Sequence, residues 1–192
     1  MKKSIINTAC KIFTLNFLLL NSIESRAQGG QIVLPYWPDS VFVAAYNLSF
    51  RVPMAPSLHT EQNLNMYAIP IDSTLALQAQ FFDSAYFKNN NILVDSALQF
   101  TNGDTMAAMA VLFASTTNST ISMYNNGSIG NKSYIDVGLD YQTLGSNVPY
   151  RTYIRFFYYN KRFIAFAVTG YASDDPRLSY YRGLFFPSVT FY

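Results

Sequence analysis

The sequence is poor in the residues that carry most enzyme chemistry. Its 192 residues include one histidine (His59), one cysteine (Cys10) and one tryptophan (Trp37), and only 12% are charged. With a single histidine, a Ser-His-Asp set has one possible base. Metal sites built on several His or Cys are excluded by count. Gly-rich phosphate loops are absent, as is the acidic twelve-residue calcium loop; near Asp174-Asp175, helix capping is the cheaper reading of Asp175. The nearest approach to a G-x-S-x-G nucleophile elbow is Asn126-Gly127-Ser128-Ile129-Gly130, which lacks the first glycine and reads as a turn. His59, in Pro56-Ser57-Leu58-His59-Thr60, reads as a solvent-facing loop residue. The expectation is no catalytic residue, no cofactor-binding residue and no metal ligand, and a protein that is not an enzyme.

Long apolar runs are also missing. Residues 12–20 are mostly apolar, but Thr14 and Asn16 interrupt them, and a bilayer span needs ~20 apolar residues. Lys2 and Lys3 before this run and Ser25-Arg26-Ala27 after it have the three-part form of a secretory signal, with small residues where signal peptidase needs them. The expected organisation is a cleaved signal over residues 1–27, an exposed leader over 28–40 and one domain over 41–192. Cys10 precedes the apolar run, where a lipid-attachment cysteine would follow it. The expected location is periplasmic or secreted, in a bacterial setting.

Cleavage changes the charge balance. Four of the 13 basic residues (Lys2, Lys3, Lys11, Arg26) and one of the 11 acidic residues (Glu24) leave, so the remainder is slightly acidic. Nucleic-acid partners favour a basic domain and are not expected. The mature chain keeps no cysteine, so its stability rests on its core. That core is well supplied, with 16 Phe and 15 Tyr in the sequence.

Along the chain, period-two patterns dominate. Residues 41–46 and 48–54 read as a hairpin, stopped by Pro53 and Pro56. Residues 66–71 and 74–82 read as a second, with Asp72-Ser73 as turn; Leu75, Leu77, Ala79 and Phe81 alternate with Ala76, Gln78, Gln80 and Phe82. Residues 88–91 form a loop, and residues 92–100 fit helix or strand. Asp104 is a good N-cap for a helix over 105–115, apolar nearly all round and therefore expected to be buried. Residues 120–124 read as a strand and Asn125-Asn126-Gly127 as a turn. Residues 133–141 alternate, with Ile135, Val137, Leu139 and Tyr141 on one face and Asp136 and Asp140 on the other. Those two backbones would lie about 13 Å apart on a strand, against about 5 to 9.5 Å between glycosidase carboxyls, so they read as a solvated face. Asp175 caps a short helix opened by Pro176 and ending near Gly183, and residues 189–192 close a sheet. Strands, helix, strands, helix and strand make an α+β fold. Its mainly antiparallel β-sheet of hairpins carries one buried helix and a short C-terminal helix.

The clearest hairpin is residues 150–158 with 162–169. If Asn160-Lys161 is a two-residue turn, Tyr159 faces Arg162 and Tyr150 faces Tyr171. Tyr150, Thr152, Ile154, Phe156 and Tyr158 then share an uncharged face with Phe163, Ala165, Ala167 and Thr169. This face is expected under the 105–115 helix. The opposite face gathers Arg151, Tyr153, Arg155, Phe157, Arg162 and Phe166 into a candidate binding surface, since arginines among aromatics suit cation–π and bidentate contacts.

Three segments resemble the PsbP-like α+β fold, which is also seen in a Ran-binding nuclear transport factor and in many exported bacterial proteins. They are Leu48-Ser49-Phe50-Arg51-Val52-Pro53-Met54-Ala55-Pro56, the hairpin from Arg151 to Gly170, and Tyr181-Arg182-Gly183-Leu184-Phe185-Phe186-Pro187-Ser188-Val189-Thr190-Phe191. Pro187 departs from the pattern. The resemblance implies a non-catalytic accessory or binding role, docking on a protein or envelope component, and it supplies no functional residue. The aromatic content leaves open a carrier of a small apolar or glycan ligand. A hydrolase using His59 is the least favoured reading.

Overall fold

The computed structural model describes residues 37–61, 63–83, 85–86, 104–142, 147–159 and 162–192. The expected signal, most of the expected leader, the 88–91 loop, the ambiguous 92–100 stretch and the Asn160-Lys161 turn lie outside the described residues.

Among the described residues, ten strands form two antiparallel sheets. They are β1 (Asp39–Val43), β2 (Leu48–Val52), β3 (Ser57–Glu61), β4 (Leu64–Pro70), β5 (Leu75–Phe82), β6 (Thr120–Ile129), β7 (Lys132–Gln142), β8 (Pro149–Tyr159), β9 (Arg162–Tyr171) and β10 (Thr190–Phe191). The large sheet has the order β3-β4-β5-β9-β8-β7-β6 and the small one β1-β2-β10. The two α-helices among the described residues are α1 (Thr105–Thr117) and α2 (Asp175–Phe185). The α+β class and the mainly antiparallel sheet follow the pattern of the sequence.

The layers are set by which side chains share a face. On one side of the large sheet, Met109, Ala110 and Ala114 of α1 meet Ile135, Val137, Leu139, Ile154, Phe156, Phe163, Ala165 and Ala167. Phe113 meets the Phe156 ring edge-on at 5.0 Å. Asp104 caps α1 as expected, its Oδ1 accepting from the amides of Met106 and Ala107 at 3.0 Å each. Among the described residues, α1 buries Ala108, Met109, Ala110 and Ala114, while residues 105–107 and 111–113 remain partly exposed.

On the other side lie the small sheet and α2. Leu48, Phe50 and Val52 of β2 and Leu178 and Phe185 of α2 close over Leu77, Phe81, Phe157, Ile164, Phe166 and Val168. Phe50 meets the rings of Phe166 at 5.4 Å and Phe185 at 6.0 Å. The middle of the large sheet is thus covered on both faces. Every residue of β5 is buried, including Gln78 and Gln80, with Gln80 Nε2 donating to Gln78 Oε1 at 3.0 Å. A strand covered on both faces tolerates the near-continuous apolar run seen in β9.

Several expectations are corrected. Residues 57–61, read as a loop around His59, form the edge strand β3, with His59 opposite Met66 of β4. Asn125-Asn126-Gly127 is not a turn, because β6 runs through it and turns only at Gly130-Asn131. Gly127 faces Tyr134, and a Cβ there would lie 2.4 Å from the Tyr134 ring. The glycine makes room for a ring, while Gly130, at φ +58, makes the turn. Asp175 does not cap α2; the cap position is Asp174 and α2 continues through Gly183 to Phe185. The 189–192 segment closes the small sheet beside β2, not the large one. Asp39 and Ser40, read as leader, belong to β1. No helix among the described residues is long and apolar enough to cross a membrane.

Candidate functional site

The β8–β9 register is the one expected, with Tyr159 opposite Arg162 and Tyr150 opposite Tyr171. The proposed binding surface on that hairpin is therefore assembled as drawn, and then covered. Phe157 and Phe166 are 1% and 0% exposed beneath the small sheet and α2, and Tyr153 and Arg155 are 7% and 8% exposed. As a ligand-facing surface it is corrected, because the second layer uses its aromatic rings as core.

Its arginines are also occupied. Asp136 stands opposite Arg155 and Asp140 opposite Arg151 in the β7–β8 register. Arg155 Nε and Nη2 donate to the two Asp136 carboxylate oxygens at 2.7 and 2.8 Å. Its guanidinium lies 3.7 Å from the Tyr134 ring centre, and Nη1 donates to the Phe186 carbonyl at 3.3 Å. Arg151 forms the matching fork on Asp140 at 2.6 and 2.8 Å, and its Nη1 reaches Asp175 Oδ1 at 3.0 Å. The Tyr153 hydroxyl donates to the same Asp175 oxygen at 2.5 Å. This explains why Asp175 is no cap. The Tyr153 hydrogen bond, with help from Arg151 and against partial burial, holds the Asp175 carboxyl below the usual carboxylate range. Arg162 donates to the Ala45 carbonyl at 2.6 Å, pinning β9 to the β1–β2 connection. Asp136 and Asp140, read as a solvated face, are the anionic halves of a cross-strand ladder.

His59 is partly exposed on β3. Its Nε2 is closed to solvent and has no hydrogen-bond partner among the described residues. No group of three or more His, Cys, Asp or Glu among the described residues is placed to hold a metal ion.

An arginine on an open face does exist, on the small sheet. Arg51 is the one exposed residue of β2, in a strand whose other members are buried. Six arginines are described, and five have a partner: Arg151, Arg155 and Arg177 have carboxylates, Arg162 has a carbonyl, and Arg182 lies 4.4 Å from the Tyr153 ring. The Arg51 guanidinium has no hydrogen bond, ion pair or ring contact among the described residues.

The hollow beside it has a local cause. β10 pairs only with Leu48 and Ser49, so the β2 edge is free beyond Ser49. There Ser188 Oγ accepts the Arg51 amide at 3.1 Å and donates to the Phe185 carbonyl at 2.7 Å. The 3-10 turn Phe186–Ser188, with Pro187, carries the chain away from β2. The result is a cleft of about 540 Å³ lined by Trp37, Arg51, Gly183, Leu184, Pro187, Ser188 and Thr190. A second hollow of about 300 Å³ shares Trp37, Arg51, Ser188 and Thr190 and adds Ser40, Ser49 and Tyr192. Phe42, 58% exposed, and Tyr192, 71% exposed, meet at 5.9 Å on the same outer face. Sequence reading missed this site. Its one signal was Arg51 as the only charge in an apolar strand, inside the first of the three resembling segments.

No family model matches the chain, and no curated protein matches it. Solved structures do. Cyanobacterial PsbP (CyanoP) from Synechocystis sp. PCC 6803 is similar over 87% of this chain and 99% of its own, at 9% identity and TM-score 0.55. LpqN, involved in cell envelope biogenesis of Mycobacterium tuberculosis, covers 74% of this chain and 82% of its own at 13% identity and TM-score 0.41. The Saccharomyces cerevisiae Ran-binding protein MOG1P covers 79% and 94% at 8% identity and TM-score 0.44. The likeness to CyanoP assigns the chain the PsbP-like fold.

Proposed function

We propose that this protein is an exported, non-catalytic accessory module that docks on a protein or envelope component through the face bearing Arg51. The observation that carries the reading is the exposed, unpartnered Arg51 guanidinium opening into a cleft. The fold is one on which site and function vary independently, so the argument rests on the cleft and not on the fold. Export rests on the signal-like residues 1–27. The aromatic content no longer argues for an apolar carrier, because the described rings are largely spent in the two cores. A glycan ligand keeps one supporting observation, Trp37 beside the hydroxyls of Ser40 and Thr190 in the cleft.

The test is native mass spectrometry of the mature protein drawn gently from its host's extracytoplasmic fraction, wild type beside Arg51→Gln. A stoichiometric protein partner, lost in the variant, supports docking through this face. A partner held equally by both removes Arg51 from the contact. A bare chain ends the docking reading. Arg151→Ala with Arg155→Ala is unsuitable here, because those arginines hold the fold together.

A further inference from the structure

We infer that the Arg51 cleft is an oxyanion site, in which Arg51 takes a carboxylate or phosphate group while the rest of the ligand lies over Gly183. The inference deepens the docking reading above by naming what the cleft recognises. An exposed arginine beside nothing is only a solvated charge. Three further observations separate this one from that case.

The first is the chemistry of the lining. Among the described residues, no Asp or Glu lines either hollow. Ser40 stands opposite Arg51 in the β1–β2 register, and Thr190 stands opposite Ser49. Alternation along β2 puts Ser49 and Arg51 on one face, so Ser40, Ser49, Arg51 and Thr190 form a single polar patch. The Ser49 hydroxyl is engaged with the Tyr192 hydroxyl at 2.9 Å. The hydroxyls of Ser40 and Thr190 have no partner among the described residues. A guanidinium with adjacent hydroxyl donors and no competing carboxylate is suited to bidentate capture of an oxyanion.

The second is Trp37. Its indole Nε1–H is closed to solvent and donates to nothing among the described residues. The Trp37 ring lines both hollows and so stands beside Arg51 in each.

The third is Gly183. A glycine within a helix costs about 1 kcal/mol relative to alanine. Neither usual reason for it holds here. Gly183 is not among the residues with positive φ, and a Cβ placed on it meets nothing within 4 Å. What the missing side chain leaves is space. Gly183 lines the Arg51 cleft and also a neighbouring hollow of about 240 Å³ that contains Arg182 and the ion-paired Asp136 and Arg155; with Pro187, which lines both, it forms the divide between them and is its low point. A side chain at 183 would stand where the ligand body passes.

Trp37 is the only tryptophan in the sequence, so fluorescence excited selectively at tryptophan, beyond the absorption of the 15 Tyr, reports on this cleft. The experiment titrates the purified mature protein with citrate and, separately, with inorganic phosphate at constant ionic strength, following Trp37 emission and the Arg51 Nε–H and Trp37 Nε1–H resonances. The expected result is a saturable change at millimolar probe that weakens about tenfold to a hundredfold in Arg51→Gln, the scale of a lost charged hydrogen bond. Preference for citrate or for phosphate distinguishes the two sources of the oxyanion. Gly183→Leu is expected to keep or raise the melting temperature while weakening binding, which separates a blocked cleft from a damaged fold. Unsaturable changes, or binding unaltered in Arg51→Gln, overturn the site. Unaltered binding in Gly183→Leu removes the path over the helix. Probe binding with no partner in the host fraction leaves the oxyanion site standing and sinks docking; a partner lost in Arg51→Gln with no probe binding does the reverse.

Discussion

Two sheet faces present arginines among aromatic rings, and they have opposite fates. On β8 of the large sheet, Arg151 and Arg155 are met by Asp140 and Asp136 directly across the strand. Arg155 is then covered by α2 and its following turn, with Phe186 5.0 Å away, while Arg151 stays partly exposed in its ion pairs. On β2 of the small sheet, Arg51 stands opposite Ser40 and shares a hollow with Tyr192, and no carboxylate among the described residues pairs with it. The residue types are alike. The difference is what lies opposite and above. An arginine with a carboxylate in register belongs to the architecture, while one with only hydroxyls in register is available to something else.

The comparison breaks most readily at Arg155. Removing one member of a buried ion pair strands the other charge, so Arg155→Met is expected to cost about 3–5 kcal/mol. Replacing both partners, Arg155→Met with Asp136→Leu, is expected to recover most of that loss. Urea unfolding of the single and double variants measures both values. A single-variant cost under about 1 kcal/mol, the scale of an exposed pair, would mean that the ladder is ordinary surface charge.

Acid is the next lever. The Asp175 carboxyl is lowered, chiefly by the Tyr153 hydroxyl, and the Asp72 carboxyl is lowered because Arg177 and Thr74 together outweigh its partial burial. A carboxyl lowered in the folded state contributes stability that is present above its unfolded value, about pH 3.9. That stability is lost as pH falls through the lower folded value. Melting temperature is therefore expected to fall below about pH 4, and Asp175→Asn is expected to flatten that fall. Identical acid profiles for variant and wild type would detach Asp175 from the network.

The smallest effect is expected at Arg51. With no partner to lose among the described residues, Arg51→Gln should change stability by no more than about 0.5 kcal/mol, even as it weakens the proposed oxyanion binding. A larger loss in the same urea measurement would show that Arg51 is structural after all and would erase the contrast with Arg155.

Much of the fold was legible because it is local. Period-two alternation gave the strands around Leu75, Ile135 and Ile154. Asp104 before an Ala- and Met-rich run gave α1, and a two-residue gap gave the β8–β9 register. The errors have local causes as well. Asn126-Gly127 has turn composition, yet Gly127 serves the Tyr134 ring across the ladder. Asp175 precedes a helix opened by Pro176, yet Arg151 and Tyr153 draw its carboxylate away from capping.

The sequence by itself determined which residues share a face, because side-chain direction follows strand and helix period within a few residues. It could not determine which face is surface. That was decided by the small sheet, where β2 and β10 pair across about 140 residues of chain, Thr190 against Ser49. Such contacts have no local signature. Together with α2 and the turn after it, they buried Arg155, left Arg151 partly exposed in its ion pairs, and kept Arg51 on the outer side of the covering layer.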